Sequence, residues 1–315
     1  MHFALIMFLL FVISSHCILV IALDAVMVAI NCIEWIKFKR LHVRDKIFTC
    51  LGLSRSFFLL TYLLTSLFSI FVSQNYLFPF IQSLLLAAGM LFNLTYLWSA
   101  TALCVFYCIK ILNCNHALFL YVKTRISKFI SYVVCVSLVV SLPCSLMSGW
   151  NLFSSLNASL ANHTLKYTTE QNTVSKNVDL VFYLYCTGSS LPFVIFCIAI
   201  FLLIRSVWMH VRQMKNSQNS FRSPNFEVLL SVVKSMICFI VLYMIILLCL
   251  NLSLSELQPN GYLQQIVCAI VFSICNLLLS LNLIYINKKL KLAFLDIYHC
   301  LMTFFVLNTN DSNMT

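Results

Sequence analysis

Residues 93–126 read NLTYLWSATALCVFYCIKILNCNHALFLYVKTRI. The stretch opens as an apolar helix carrying one amide, Asn93, and one indole, Trp98. It reaches Phe106, Tyr107, Ile109 and Lys110 before a basic exit made by Lys123, Arg125 and Lys128. An apolar helix with a polar group inside it and cations beyond one end has the layout of a membrane helix that couples the two sides of a bilayer.

The rest of the chain supplies a bundle for such a helix. Of 315 residues, 62% are hydrophobic and 9% charged, where a soluble domain carries about 25% charged residues. The chain therefore reads as an integral membrane protein. A bilayer core takes about 20 apolar residues per helix, and seven stretches qualify: about 6–33, 47–72, 80–110, 129–150, 180–206, 228–251 and 263–286. Between the second and third, the segment SQNYLFP over residues 73–79 predicts a tight turn. The first stretch lacks a basic leader and stays apolar to Ile33, too long for a signal peptide, so it is read as the first span. The expected fold is an all-α seven-transmembrane bundle in one domain, with a short tail over 288–315.

The net charge of +11 comes from cations in the gaps between apolar runs, which argues against a nucleic-acid partner. Lys37, Lys39, Arg40, Arg44 and Lys46 fill the first gap, and Arg212, Lys215 and Arg222 the fifth. Lys288, Lys289 and Lys291 follow the last span. The other side holds Lys166 and Lys176. The positive-inside rule then places the N-terminus outside and the C-terminus in the cytoplasm. The segment 151–179 is read as an outer loop, and its sequons make Asn157 and Asn162 candidate glycosylation sites. Asn93-Leu-Thr95 lies in a span, and Asn313-Met-Thr315 falls on the inner side. After the last span, residues 288–307 read as an amphipathic interfacial helix.

Chemistry that would mark an enzyme is missing. Fifteen cysteines lie almost entirely in apolar runs, where a thiol behaves as a small apolar side chain. No pair has metal-ligand spacing, and neither a metal nor another cofactor is implied. None of the seven histidines forms HExxH, and no GxSxG or Gly-rich phosphate loop occurs. A transporter would show repeated halves with interrupted helices, and neither is visible. Charges inside spans cost a few kcal/mol, so Asp24, Arg55 and Lys234 need a reason. Arg55 sits about two turns from the inner edge and is read first as snorkelling, with Asp24 or Asn282 as interior partners otherwise. Asp24 is deeper and is read as part of a structural polar network.

Ordered motifs cover most of the chain. They are Asn31-Cys-Ile-Glu-Trp35 with Leu51-Gly-Leu-Ser-Arg55, then Trp98, Thr101, Leu103, Val105-Phe-Tyr107 and Lys110-Ile111. Leu191-Pro-Phe193 follows with Leu202-Leu-Ile204, His210 and Gln213-Met214. Arg222-Ser-Pro224, Lys234, Leu242-Tyr243, Asn287 and Lys289-Leu290-Lys291 complete the set. This series resembles taste receptor type 2 proteins, the bitter receptors. A Cys opening the third span and Asp-Arg-Tyr after it, both common in rhodopsin-like receptors, are absent here. Vomeronasal type 1 receptors are the alternative, and a small transporter a remoter one.

The resemblance implies a plasma-membrane, multi-pass receptor that takes a small amphipathic agonist from outside and activates a heterotrimeric G protein of the gustducin type. It implies ligand contacts at Asn93, Gly89, Tyr185, Tyr243, Ile246, Ala269 and Phe272. It implies G-protein-facing or activation roles for Arg55, Tyr107, Lys110, His210, Lys234 and Asn287. The basic inner face suits anionic membrane lipid equally well. The chain departs from the family pattern at Asp24 (Asn), Gly89 (often Trp), Ala269 (Glu in some members), Asn276 (Pro) and Leu279-Ser280 (His-Ser). Gly89 implies a roomier pocket and bulkier ligands.

Overall fold

The computed structural model describes residues 2–71, 78–111, 125–162, 170–216, 224–255, 262–287, 289–296 and 302–303. Among these there is no strand, and seven long helices appear, the number expected: α1 His2–Phe38, α2 Val43–Phe71, α3 Phe78–Ile111, α4 Ile126–Asn162, α5 Glu170–Asn216, α6 Pro224–Ser255 and α7 Tyr262–Ile286. Each holds a window apolar and long enough to cross a membrane. α1 packs on α2 and α7, α2 on α3, α4 on α5, α5 on α6 and α6 on α7, which closes a ring, and α3 reaches both α4 and α5.

Helix ends follow local chemistry. Lys39, in a left-handed conformation (φ 49°), ends α1, and its N–H donates to the Trp35 carbonyl at 2.8 Å. Asp45 in the first turn of α2 sits where the helix dipole favours an anion. Pro79 in the first turn of α3 gives up an N–H that had no helical partner anyway. The turn expected at 73–79 otherwise lies on residues outside those described.

Two boundaries differ from the expected loop over 151–179. Residues 151–162 continue α4, and residues 170–179 already belong to α5. Hydropathy marks where the bilayer stops favouring a helix, whereas the backbone bonds of the helix can run on through polar sequence that holds no Gly or Pro. Neither occurs in residues 151–162. Asn157 and Asn162 thus lie on the last turns of α4. Beyond α7, residues 289–296 are helical, and the rest of the expected tail helix lies outside the described residues.

The seam between α3 and α4 is built from small residues. Ser137, Ser141, Ser145 and Ser148 of α4 are all buried at helical spacing. A methyl group on Gly149 would meet the Ala87 Cβ at 2.8 Å and the Ser83 carbonyl oxygen at 3.1 Å. Small residues let membrane helices approach closely and gain dispersion contacts that lipid cannot supply. On the outside, Trp35, Trp208 and Tyr285 are exposed toward one end, with the Arg212 guanidinium 5.6 Å from the Trp208 ring centre and the Lys291 ammonium 5.9 Å from that of Tyr285. Trp150 and Tyr183 are exposed toward the other. Such aromatic belts mark membrane–water interfaces. The end at which α1 finishes and α2 begins is called the basic end below.

Candidate functional site

Two buried polar clusters occupy the bundle interior. The first joins α1, α2 and α7. Arg55 is fully buried and Asp24 nearly so, at 0% and 2% exposure. The guanidinium donates from Nε to one Asp24 carboxylate oxygen at 2.8 Å and from Nη2 to the other. Nη2 also donates to the Ser280 hydroxyl at 2.8 Å, and Ser280 donates to the Asn276 carbonyl at 3.2 Å. The planar fork of Arg matches a carboxylate with two parallel bonds, so both charges leave water together. Close packing surrounds them: a methyl on Gly52 would meet the Met27 terminal carbon at 2.5 Å.

Snorkelling, the first reading for Arg55, is therefore replaced by a buried ion pair. At about 1.5 Å per residue, the twelve positions from Val43 to Arg55 leave the guanidinium too deep to need the interface once Asp24 is beside it. Asp24 takes the structural role expected of it. Asn282, the other candidate partner, instead joins α7 to α6: it donates to the Ser235 carbonyl at 2.9 Å and accepts from the Ser235 hydroxyl.

The second cluster joins α3, α5 and α6. The Asn93 amide donates to the Tyr185 hydroxyl at 2.7 Å, and the Tyr185 and Tyr243 hydroxyls lie 3.2 Å apart. All three residues are buried. Because the amide uses one Tyr185 lone pair, the two phenols can share a proton in either direction. α5 is held against α3 nearby: the Thr101 hydroxyl shares its proton between the Leu97 carbonyl at 2.9 Å and the Pro192 carbonyl at 3.1 Å, and a methyl on Gly188 would meet Leu94 and Cys144 at 3.2 and 3.3 Å.

An aromatic layer lies between the clusters. The Tyr96 ring is 5.8 Å from Phe239 and 6.4 Å from Tyr243, and Phe239 lies parallel to Tyr243 at 6.3 Å and tilted against Phe196 at 5.5 Å. The Tyr96 phenol lies beside the Arg55 guanidinium. Sequence reasoning missed Tyr96. Its signal was a phenol three residues after Asn93, one helical turn away on nearly the same face.

The expected ligand residues divide by direction. Asn93, Tyr185 and Tyr243 come together, and Ile246 is buried in the core beside them in sequence, one turn beyond Tyr243. Gly89 opens toward α2 instead, where an added methyl would lie 3.2 Å from the Thr61 hydroxyl. Phe272 faces α2 as well, 4.7 Å from Tyr62 and 6.1 Å from Phe58. Ala269 is half-buried on α7.

The expected partner-facing residues divide too. Lys110 and Lys234 are exposed, with the Lys110 ammonium 5.9 Å from the Phe106 ring centre. Tyr107 is buried and lies in the field of Arg44 and Asp45. The backbone of His210 is in α5, and its side chain lies outside what is described. Arg55 and Asn287 are both 0% exposed, so neither faces a partner. Arg55 is drawn inward by Asp24. Asn287 caps a helix: its side-chain oxygen accepts the Lys289 N–H at 3.2 Å, and its carbonyl accepts the Lys291 N–H at 2.9 Å. Lys289 in turn pairs with Glu34, tying this turn to α1.

The family model described as Taste receptor protein (TAS2R) matches residues 1–302. Taste receptor type 2 member 40 of Gallus gallus is 27% identical over 295 residues, covering 91% of this chain and 95% of the relative. Taste receptor type 2 member 9 of Macaca mulatta is 30% identical over 273 residues, with 85% and 86% covered. Taste receptor type 2 member 1 of Pan paniscus is 32% identical over 228 residues, with 70% and 72% covered.

Proposed function

The chain belongs to the taste receptor type 2 family, and from that premise we propose how its interior carries a signal. As a bitter-taste G-protein-coupled receptor it is a multi-pass membrane protein and not an enzyme; it binds a ligand and couples to a G protein. The finer reading is ours. The N-terminus is outside, the basic end is cytoplasmic at the plasma membrane, and the agonist is a small amphipathic molecule. The G protein is of the gustducin type, and anionic lipid lies against the same basic rim.

The closed Asn93–Tyr185–Tyr243 cluster carries this reading. It spends the polar groups of three helices on one another, inside a largely apolar surround suited to an amphipathic ligand. An agonist that replaces one of these bonds with its own changes how α3, α5 and α6 are tied. It shifts the equilibrium by its differential affinity for the two arrangements and by nothing else. Ile246, Ala269 and Phe272 complete the apolar lining in this reading, and Gly89 widens it on the α2 side. At the other end Tyr107, Lys110, His210 and Lys234 meet the G protein, while Arg55 and Asn287 act from within.

Calcium mobilisation in cells carrying a gustducin-type G-protein chimera, screened against a diverse bitter library, tests the assignment. The expected result is a saturable response to at least one compound. Asn93→Ala should shift its half-maximal concentration by about tenfold or more, the weight of one buried hydrogen bond, with surface protein unchanged. Silence of the well-expressed wild type would sink the coupling partner, and an unshifted Asn93→Ala would sink the site.

Orientation has its own test. With the N-terminus outside, Asn157 and Asn162 are lumenal acceptors. Peptide N-glycosidase should lower the apparent mass of the wild type, and the Asn157→Gln, Asn162→Gln double variant should not change on treatment. A wild type unaffected by the enzyme argues for the opposite orientation or for unused acceptors.

A further inference from the structure

The outward side of α5 carries a regular series that the bundle does not use. Phe196, Ile200, Leu203 and Val207 are buried and form the inward face of the helix. Nearly opposite them, at about 3.6 residues per turn, stand Val194, Ile198, Phe201, Arg205, Trp208 and Arg212. All six are exposed, the four apolar ones by 52–64%. Their spacing alternates four residues and three, so they form one stripe along the helix.

The stripe changes character along its length. From Val194 to Phe201 it is apolar and lies within the stretch of α5 fit to cross a membrane. Toward the basic end it is cationic, with Trp208 between two arginines and the Arg212 guanidinium 5.6 Å from the Trp208 ring centre. Exposed Trp favours the level of the lipid headgroups, so the arginines one turn to either side straddle that level. Arg205 is still inside the apolar stretch, which ends at Met209, and a cation there costs a few kcal/mol unless a counter-charge offsets it. The helix supplies none near it, since the sequence holds no Asp or Glu from residue 180 to 226. Among the described residues neither arginine has a carboxylate partner.

A second copy of the chain fits this face poorly. Two copies in one membrane run parallel, and a symmetric contact along the stripe sets Arg205 against Arg205 and Arg212 against Arg212. A phospholipid complements the whole stripe, with an acyl chain along Val194, Ile198 and Phe201 and a negative headgroup at the arginines. The guanidinium fork matches phosphate oxygens with paired hydrogen bonds.

We propose that the exposed stripe of α5 is a binding site for one anionic diacyl phospholipid, its headgroup held by Arg205 and Arg212 beside Trp208. The inference rests on the reading above that anionic lipid lies against the basic rim, and it names where that lipid is held. A lipid bound there offsets the charge of Arg205 and fixes the depth at which this half of α5 sits.

The test releases the receptor from nanodiscs holding equal amounts of phosphatidylserine and phosphatidylcholine, and native mass spectrometry counts the lipids it retains. The wild type should keep one phosphatidylserine in preference to phosphatidylcholine. The Arg205→Gln, Arg212→Gln double variant should lower that preference about tenfold or more, the weight of a hydrogen bond to a charged group. The Lys37→Gln, Lys291→Gln double variant removes as much charge elsewhere on the rim and should keep the preference. If the lysine pair loses it and the arginine pair does not, this inference falls and the rim reading stands. Equal losses in the two pairs overturn the site as well, because they mean attraction by net charge alone. A wild type without preference overturns both readings. A wild type released as a lipid-free dimer, made monomeric by the arginine substitutions, overturns the inference in favour of a second copy. Should the arginine pair yield no protein, Arg212→Gln alone, beyond the apolar stretch, is judged in the same way.

Discussion

Asp24→Ala should cost about 3–5 kcal/mol of stability, the range for removing one partner of a buried ion pair. The variant should lose most of its surface protein, since losses of this size exceed what cellular quality control tolerates. The cause is the charge left behind. Arg55 is fully buried, has Asp24 as its carboxylate partner, and would be left with neutral partners such as Ser280 and Tyr96. Asp24→Asn should cost less, because an amide oxygen still accepts one of the two bonds. Removing both charges separates charge burial from packing. An Asp24→Leu, Arg55→Met double variant should recover much of the thermal midpoint lost by Asp24→Ala, since apolar replacements of buried pairs are often neutral or stabilising. If the double variant is as unstable as the single, lost shape rather than a stranded cation explains the damage.

The second large effect lies at the seam of α3 and α4. Gly149→Val should lower the thermal midpoint of the receptor in nanodiscs by an amount corresponding to about 1–3 kcal/mol, the usual cost of overpacking. The atoms that a side chain would strike, the Ala87 Cβ and the Ser83 carbonyl, are fixed to the α3 backbone, so relief comes only by parting the helices. Gly52→Ala is the contrast. The nearest atom there, 2.5 Å away, is the free end of the Met27 side chain, which can rotate aside. The gain of up to about 1 kcal/mol in helix propensity on replacing Gly should leave that variant near the wild type. Equal effects at the two glycines would refute the distinction between a rigid and a yielding neighbour.

Much of this was legible in the residues. Seven spans follow from runs of apolar side chains, because water and lipid sort those runs whatever their tertiary surroundings. Asp24 and Arg55 announced themselves by their cost in a bilayer, although sequence could not say that they meet. That depends on the rotation of α1 and α2 about their own axes, which their nearly uniform apolar character leaves undetermined. For the same reason Gly89 and Asn93, one turn apart on α3, were read as one surface, yet the first opens toward α2 and the second reaches Tyr185 on α5. The ends of α4 and α5 were missed because hydropathy reports the bilayer and not the helix. The serines at 137, 141, 145 and 148 carry a readable spacing of four, four and three residues, which places them on one face of α4.

The fifth helix has a mechanical side. Its 47 residues, at about 1.5 Å each, make a rod about 70 Å long against a hydrocarbon core about 30 Å thick. Thr101 grips it at the Pro192 carbonyl. Tyr185 is seven residues above that grip and Asn216 twenty-four below it, so the arms measure roughly 10 and 36 Å. Turning as a rigid body about Pro192, α5 is a lever with unequal arms. On those arms a 1 Å displacement at Tyr185 corresponds to a swing of about 3 Å at the basic end.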